Sequence, residues 1–230
     1  ATIGGLQDNM VVACGKHFPG HGDTSTDSHK VLPVVDAGLQ RLRDTEFPPF
    51  QHAIRFGVAS LMTAHVLYRA LDPDAPATLS SAVIQRLLRE EFRYDGVVFT
   101  DDLEMHAIID HDGIGEAAVR SFVAGCDVLL ICKDQDRVQT AMQAMERAVR
   151  DGRITQERLQ QSLVRVARLK SRYLLPYKPV TISDARLVVG CRTHRMLLDS
   201  WHKTYARVPA PKVSENMQSV AALDSPVAHV

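Results

Sequence analysis

The sequence predicts an α/β fold, a parallel sheet with helices packed outside it, and three observations carry that prediction. Four short apolar runs, residues 11–14, 58–62, 96–99 and 127–131, are rich in Val, Ile, Leu or Ala and lack clean alternation, as strands buried on both faces do. Amphipathic helical stretches lie between them, which gives the order βαβαβαβα. Each run ends in polar residues: Lys16 and His17, then Thr63 and His65, then Asp101 and Asp102, then Lys133 and Asp134. Functional groups at the carboxyl ends of successive parallel strands mark the top face of a (β/α)8 barrel. A doubly wound sheet also puts ligands there, so spacing alone leaves both architectures open.

The helices follow from the periodicity of the segments between strands. Residues 37–56 carry Leu39, Leu42, Phe47, Phe50 and Ile54, and Pro48-Pro49 marks a fresh helix start. Residues 80–92 place Val83, Ile84, Leu87, Leu88 and Phe92 on one face, with Ser80 or Ser81 as cap. Residues 115–124 read as a short helix rich in small residues. Residues 136–150 bring Val138, Ala141, Met142, Met145 and Val149 together, and Thr155 caps a helix over 156–175 with Leu159, Leu163, Val166 and Leu169 inward. Beyond residue 175 the pattern weakens. Residues 176–207 read as an extension packing on the body, with a short strand or helix between Leu187 and Leu198. From residue 208 the chain is rich in Pro, Ser and Ala without periodicity, and disorder is expected over 208–230.

Composition narrows the class. The 230 residues are 45% hydrophobic and 23% charged, with a formal net charge of zero. That suits one globular domain with a sizeable core, and nothing in it points to a nucleic-acid or membrane partner. Cys14, Cys126, Cys132 and Cys191 show no C-x-x-C spacing, and three of them lie in or beside apolar runs. They read as reduced core thiols, in keeping with a cytoplasmic protein. No apolar run is long enough to span a membrane, and no signal peptide is evident. Residue 1 is Ala, and the first ten residues read as the end of one element and the start of a strand.

The densest chemistry lies in residues 16–29, K-H-F-P-G-H-G-D-T-S-T-D-S-H. Gly and Pro forbid a continuing helix, so these polar groups are expected on a loop at a strand's carboxyl end. The spacing H-x3-H-x7-H of His17, His21 and His29 matches no zinc motif, and no metal is expected. Read residue by residue, each feature has a plain alternative. Asp101 and Asp102 serve equally as carboxylates for chemistry or as caps of the next helix. Asp27 and His29 serve as an acid/base pair, or as a turn former and an exposed loop His. Lys16 at a strand end is a ligand donor or a solvated side chain. No G-x-G-x-x-G or G-x-x-x-x-G-K-[ST] occurs, which disfavours a nucleotide binder.

Three segments together settle these alternatives by resemblance. K-H-F-P-G-H-G followed by D-S-H, then Met62-Thr63-Ala64-His65-Val66, then residues 96–105, G-V-V-F-T-D-D-L-E-M, closely resemble family 3 glycoside hydrolases of the β-N-acetylhexosaminidase branch. The resemblance covers residues 1–175. It implies the C-terminal half of a (β/α)8 barrel, four parallel βα units, in which strands five to eight are present. It implies a retaining β-N-acetylglucosaminidase without cofactor, acting on muropeptide fragments in cell-wall recycling. Asp101, the first Asp of T-D-D, is then the nucleophile, His29 the general acid/base and Asp27 its partner. Lys16 and His17 are then sugar-hydroxyl ligands, and His65 lines the pocket. The Arg and Asp that clamp the sugar in the family would lie before residue 1. Two other outcomes stay compatible with the same ancestry: a phosphorylase, since a His repels phosphate less than a carboxylate does, and a catalytically silent fragment.

Overall fold

The computed structural model describes residues 1–21, 24 and 32–205, with the backbone alone at 110–112 and 205. It forms two units, Ala1–Tyr177 and Lys178–Val230. The first opens with helix α1 (Thr2–Gln7) and strand β1 (Cys14–Phe18). The short β2 (Val34–Val35) precedes α2 (Leu39–Arg41) and a wide-turn helix, Leu42–Glu46. Then come α3 (Phe47–Arg55), β3 (Ser60–Thr63) and the short β4 (Leu67–Tyr68). A single 3-10 turn, Ala77–Leu79, and a second wide-turn helix, Ala82–Glu91, lead to β5 (Val97–Asp102). The unit closes with α4 (His106–Ala124), β6 (Val128–Leu130), α5 (Gln135–Arg150) and α6 (Gln156–Tyr173). The second unit holds α7 (Ile182–Val188), whose Thr181 and Asp184 form a capping box, and α8 (Arg192–Tyr205). The tail expected to be disordered, 208–230, lies outside the described residues.

The sheet is the expected one. Strands β1, β3, β5 and β6 pair in that order and all pairs are parallel. Parallel neighbours need a crossover, and α3, the Ala82–Glu91 helix and α4 supply it. Four consecutive βα units in chain order make up half the strand count of a (β/α)8 barrel. The pairing β1–β3 runs Cys14 opposite Ser60 and Gly15 opposite Leu61, then slips so that Phe18 faces Thr63. Lys16 and His17 therefore sit inside β1 and not on the following loop, because pairing with β3 continues past the residues that the Gly-Pro signal marked as irregular.

Aromatic packing anchors one side of the sheet. Phe18 meets Phe50 and Phe92 edge-on, at 5.2 and 6.1 Å between ring centroids, and Phe47 meets Phe92 at 5.5 Å. Such contacts add to the burial of the rings themselves. Two of the cysteines depart from the core reading: Cys126 is buried, but Cys14 and Cys132 are exposed. Cys14 begins β1 and Cys132 follows β6, so both lie at strand ends, beyond the closely packed middle of the sheet.

Helix α4 begins earlier than the sequence implies and breaks at Gly113, whose φ is +68°. It ends at Gly125, with φ +126°, where a Cβ would stand 2.7 Å from both Gln85 Nε2 and Ile84 Cγ2. Only glycine satisfies both the backbone and the space there. The Gly125→Ala protein is expected to lose about 1–3 kcal/mol of stability. Urea unfolding should show a lower midpoint at an unchanged slope; an unchanged midpoint would mean that the helix end repacks freely.

Candidate active site

The polar strand ends converge at the carboxyl edge of the sheet. β1 supplies Lys16 and His17, β3 leads into His65, and β5 ends in Asp101 and Asp102. His17 Nε2 stands 3.4 Å from Asp101 Oδ2, with both side chains about a quarter exposed. The other Asp101 oxygen, Oδ1, accepts the Asp102 N–H at 2.9 Å. One carboxylate oxygen is thus held by backbone while the other faces an imidazole and open space. That arrangement leaves the carboxylate fixed on one side and approachable on the other.

Burial lowers the His17 pKa, and the charge of Lys16 and the neighbouring His21 lower it further, against the opposing pull of Asp101. His17 is therefore neutral near pH 7, able to donate from one ring nitrogen and accept at the other. His21 meets the His17 ring edge-on at 5.8 Å and lies 3.0 Å from the Thr24 hydroxyl through Nδ1. Lys16 is exposed on the same strand. Asp27 and His29, expected to supply the acid/base pair, lie outside the described residues, as does Asp23.

Asp102 takes a different part from Asp101. Its Oδ1 accepts the Glu104 N–H at 3.1 Å and so shapes the turn after β5. It does not cap α4, whose N-cap is Met105 without a side-chain bond. Glu104 in turn accepts the N–H of Lys133 at 2.6 Å and of Asp134 at 3.2 Å, and faces Arg137 at 3.4 Å. This ties the turn after β5 to the one after β6. The residue stood inside the T-D-D-L-E-M segment, yet nothing in the sequence gave it a role, because its partners lie about thirty positions further on. A cavity of about 450 Å³ opens here, lined by Asp102, Glu104, His106, Lys133 and Arg137 among others.

His65, expected to line the substrate pocket, faces the protein interior. It is 1% exposed, and both ring nitrogens are engaged inside the protein, Nδ1 with the Thr78 hydroxyl at 2.7 Å and Nε2 with the Asp102 carbonyl at 2.9 Å. A strand-end His reads as a pocket residue in sequence because burial and partners are invisible there. Thr78, the hub of this network, carried no sequence signal at all. Among the described residues no helix is long and apolar enough to cross a membrane.

Comparison with known proteins identifies the family. Residues 1–169 match the family model described as the glycosyl hydrolase family 3 N-terminal domain. A β-hexosaminidase of Neisseria meningitidis is 42% identical over 134 residues, covering 58% of the chain and 37% of the relative. One from Nitrosomonas eutropha is 37% identical over 172 residues, covering 74% of the chain and 49% of the relative. The chain thus spans less than half the length of these curated relatives. Among solved structures, a family 3 β-N-acetylglucosaminidase from Paenibacillus superposes with a TM-score of 0.74 at 45% identity, covering 81% of the chain and 38% of that protein.

Proposed function

Since the chain belongs to glycosyl hydrolase family 3, we propose that it carries the nucleophile of a retaining β-N-acetylglucosaminidase. The reaction removes terminal, non-reducing N-acetylglucosamine from muropeptide fragments, in the cytoplasm, as a step of cell-wall recycling. The observation that carries the reading is the Asp101 carboxylate, rigid at the end of β5, with one oxygen bound by the Asp102 N–H and the other 3.4 Å from His17. The relatives named β-hexosaminidase, and the Paenibacillus structure, support the substrate class.

The chemistry runs in two displacements. Asp101 attacks the anomeric carbon, the glycosidic C–O bond breaks, and the departing oxygen takes a proton from His29. A water then gives a proton to His29 and attacks the same carbon, releasing Asp101 as carboxylate. Asp27 orients the His29 ring and raises its basicity, as a carboxylate does in other His-dependent sites. His17, neutral and fixed beside Asp101, and Lys16 on the same strand hold sugar hydroxyls.

The acid role is tested by leaving-group dependence. In the His29→Ala enzyme, substrates with poor leaving groups should slow by ~10²–10⁴-fold, the usual worth of general acid catalysis. Activated aryl glycosides, which depart without protonation, should slow far less. Equal loss on both classes would remove His29 from the acid role. Asp27→Ala should reproduce the pattern in milder form.

A further inference from the structure

We propose that His65 is the positioning residue for Asp101, tying the carbonyl of Asp102 to the end of β3 as a neutral imidazole protonated on Nε2. The proposal rests on the reading of Asp101 as nucleophile.

Donor and acceptor chemistry forces the proton inventory. A carbonyl oxygen only accepts, so the 2.9 Å contact between His65 Nε2 and Asp102 O requires a hydrogen on Nε2. A second proton would put a cation on a ring that is 1% exposed; Asp101 and Asp102 favour that charge and His17 opposes it, and the loss of hydration outweighs the carboxylates. Burial likewise lowers the His65 pKa. Nδ1 is therefore an acceptor, and the Thr78 hydroxyl 2.7 Å away donates to it. Thr78 has spent its one hydrogen, so the Thr63 hydroxyl, 2.8 Å away, donates to the Thr78 oxygen. The result is a one-directional chain: Thr63 to Thr78 to His65 to the Asp102 carbonyl. Thr78 Oγ1 also lies 3.0 Å from the Ala64 carbonyl, the acceptor to which it would turn if the ring were protonated.

The chain's end point matters for the nucleophile. Asp102 is pinned on both sides of its own Cα, by its N–H on Asp101 Oδ1 at 2.9 Å and by its carbonyl on His65. Its carboxylate also holds the Glu104 N–H. The Asp102 carbonyl also accepts the Met105 N–H at 3.1 Å, and the Leu103 N–H of the same peptide binds the Leu130 carbonyl at 2.9 Å, so removing the imidazole loosens that peptide by one of its three hydrogen bonds. The Asp102 N–H that aims the Asp101 carboxylate is then less firmly fixed. Displacements of about 1 Å at reacting groups cost on the order of 10²-fold, and outer hydrogen-bond partners of a site are typically worth about 10–100-fold.

Two measurements test this, and they separate it from the nucleophile assignment. The first needs no substrate. In ¹⁵N-histidine-labelled protein, the His65 signal, assigned by its loss in His65→Gln, should show a protonated Nε2 and an unprotonated Nδ1. A protonated Nδ1, or a ring charged at neutral pH, overturns the proposal whatever Asp101 does. The second is kinetic. His65→Phe keeps the volume but no donor, and should lower kcat about 10–100-fold with KM little changed. His65→Gln, whose amide can donate to the same carbonyl, should recover most of kcat. A raised KM with intact kcat would return His65 to the sugar-binding role and refute positioning. If neither variant folds, the His65 ring is assigned by through-bond correlation to its own backbone in the unmodified protein, and its tautomer decides.

Discussion

The Asp101→Ala enzyme is expected to turn over N-acetylglucosaminides on the order of 10⁴–10⁶-fold more slowly, the scale on which loss of a covalent nucleophile is felt elsewhere. The substitution removes the protein group that bonds to the anomeric carbon in the first displacement. The hole it leaves is one carboxylate wide, beside His17 and the Asp102 N–H. Azide added to this variant should restore part of the rate with an activated substrate and yield the α-glycosyl azide. The small anion enters from the face that Asp101 occupied and no second displacement follows. Asp102→Asn should behave differently. Its Oδ1 serves the turn through Glu104 N–H, and an amide oxygen accepts there almost as well. Its loss should be small and insensitive to azide. If Asp102→Asn is the inactive variant and Asp101→Ala the active one, the roles of the two carboxylates are reversed.

Asp127→Ala is expected to destabilise the fold by about 3–5 kcal/mol, the usual result of removing one partner of a buried ion pair. The Asp127 side chain is fully buried. Its Oδ2 pairs with Arg89 at 2.7 Å and accepts the Val98 N–H at 3.0 Å. Its Oδ1 accepts the Ser162 hydroxyl at 2.6 Å and faces Arg165 at 3.4 Å and Arg158 at 3.6 Å. Arg89 and Arg158 are themselves 7% and 10% exposed, so both would be left as buried cations without a counter-charge. Against a net stability of roughly 5–15 kcal/mol, such a loss is decisive. The urea midpoint measures it. Arg153→Ala, which breaks only the surface pair with Glu116, should leave that midpoint nearly unchanged. Equal shifts from the two variants would show that the Asp127 cluster contributes no more than a surface contact.

The four strands were legible because burial on both faces leaves a continuous apolar run, and the three matching segments named the carboxyl ends of β1, β3 and β5. The inward face of α6 shows what periodicity misses. Leu163 was expected inside and is 54% exposed. Ser162 is buried instead, and Arg158 and Arg165 share its face, because that face serves Asp127 as well as the core. A hydrophobic pattern counts apolar residues and so turns the helix the wrong way when polar side chains are the ones buried. The sequence pattern shows only part of helix α4 for a related reason. Its first turns carry His106 and two aspartates, and Gly113 interrupts it, so only the small-residue half showed. At the site, Asp101 and His17 were legible as residue types at strand ends. The Thr63–Thr78–His65 chain was not, since it joins neutral hydroxyls and a histidine up to fifteen positions apart through contacts that only the fold creates.

The central claim, that Asp101 bonds to the sugar, is tested most directly by trapping. A 5-fluoro N-acetylglucosaminyl substrate slows departure of the sugar from the enzyme more than its arrival, so the covalent form accumulates. Digestion and mass spectrometry then locate the added mass. The account predicts one equivalent of label, on the peptide containing residues 97–105 and on Asp101 within it. Label on Asp102, label on another carboxylate, or turnover of the substrate with no covalent adduct would contradict it.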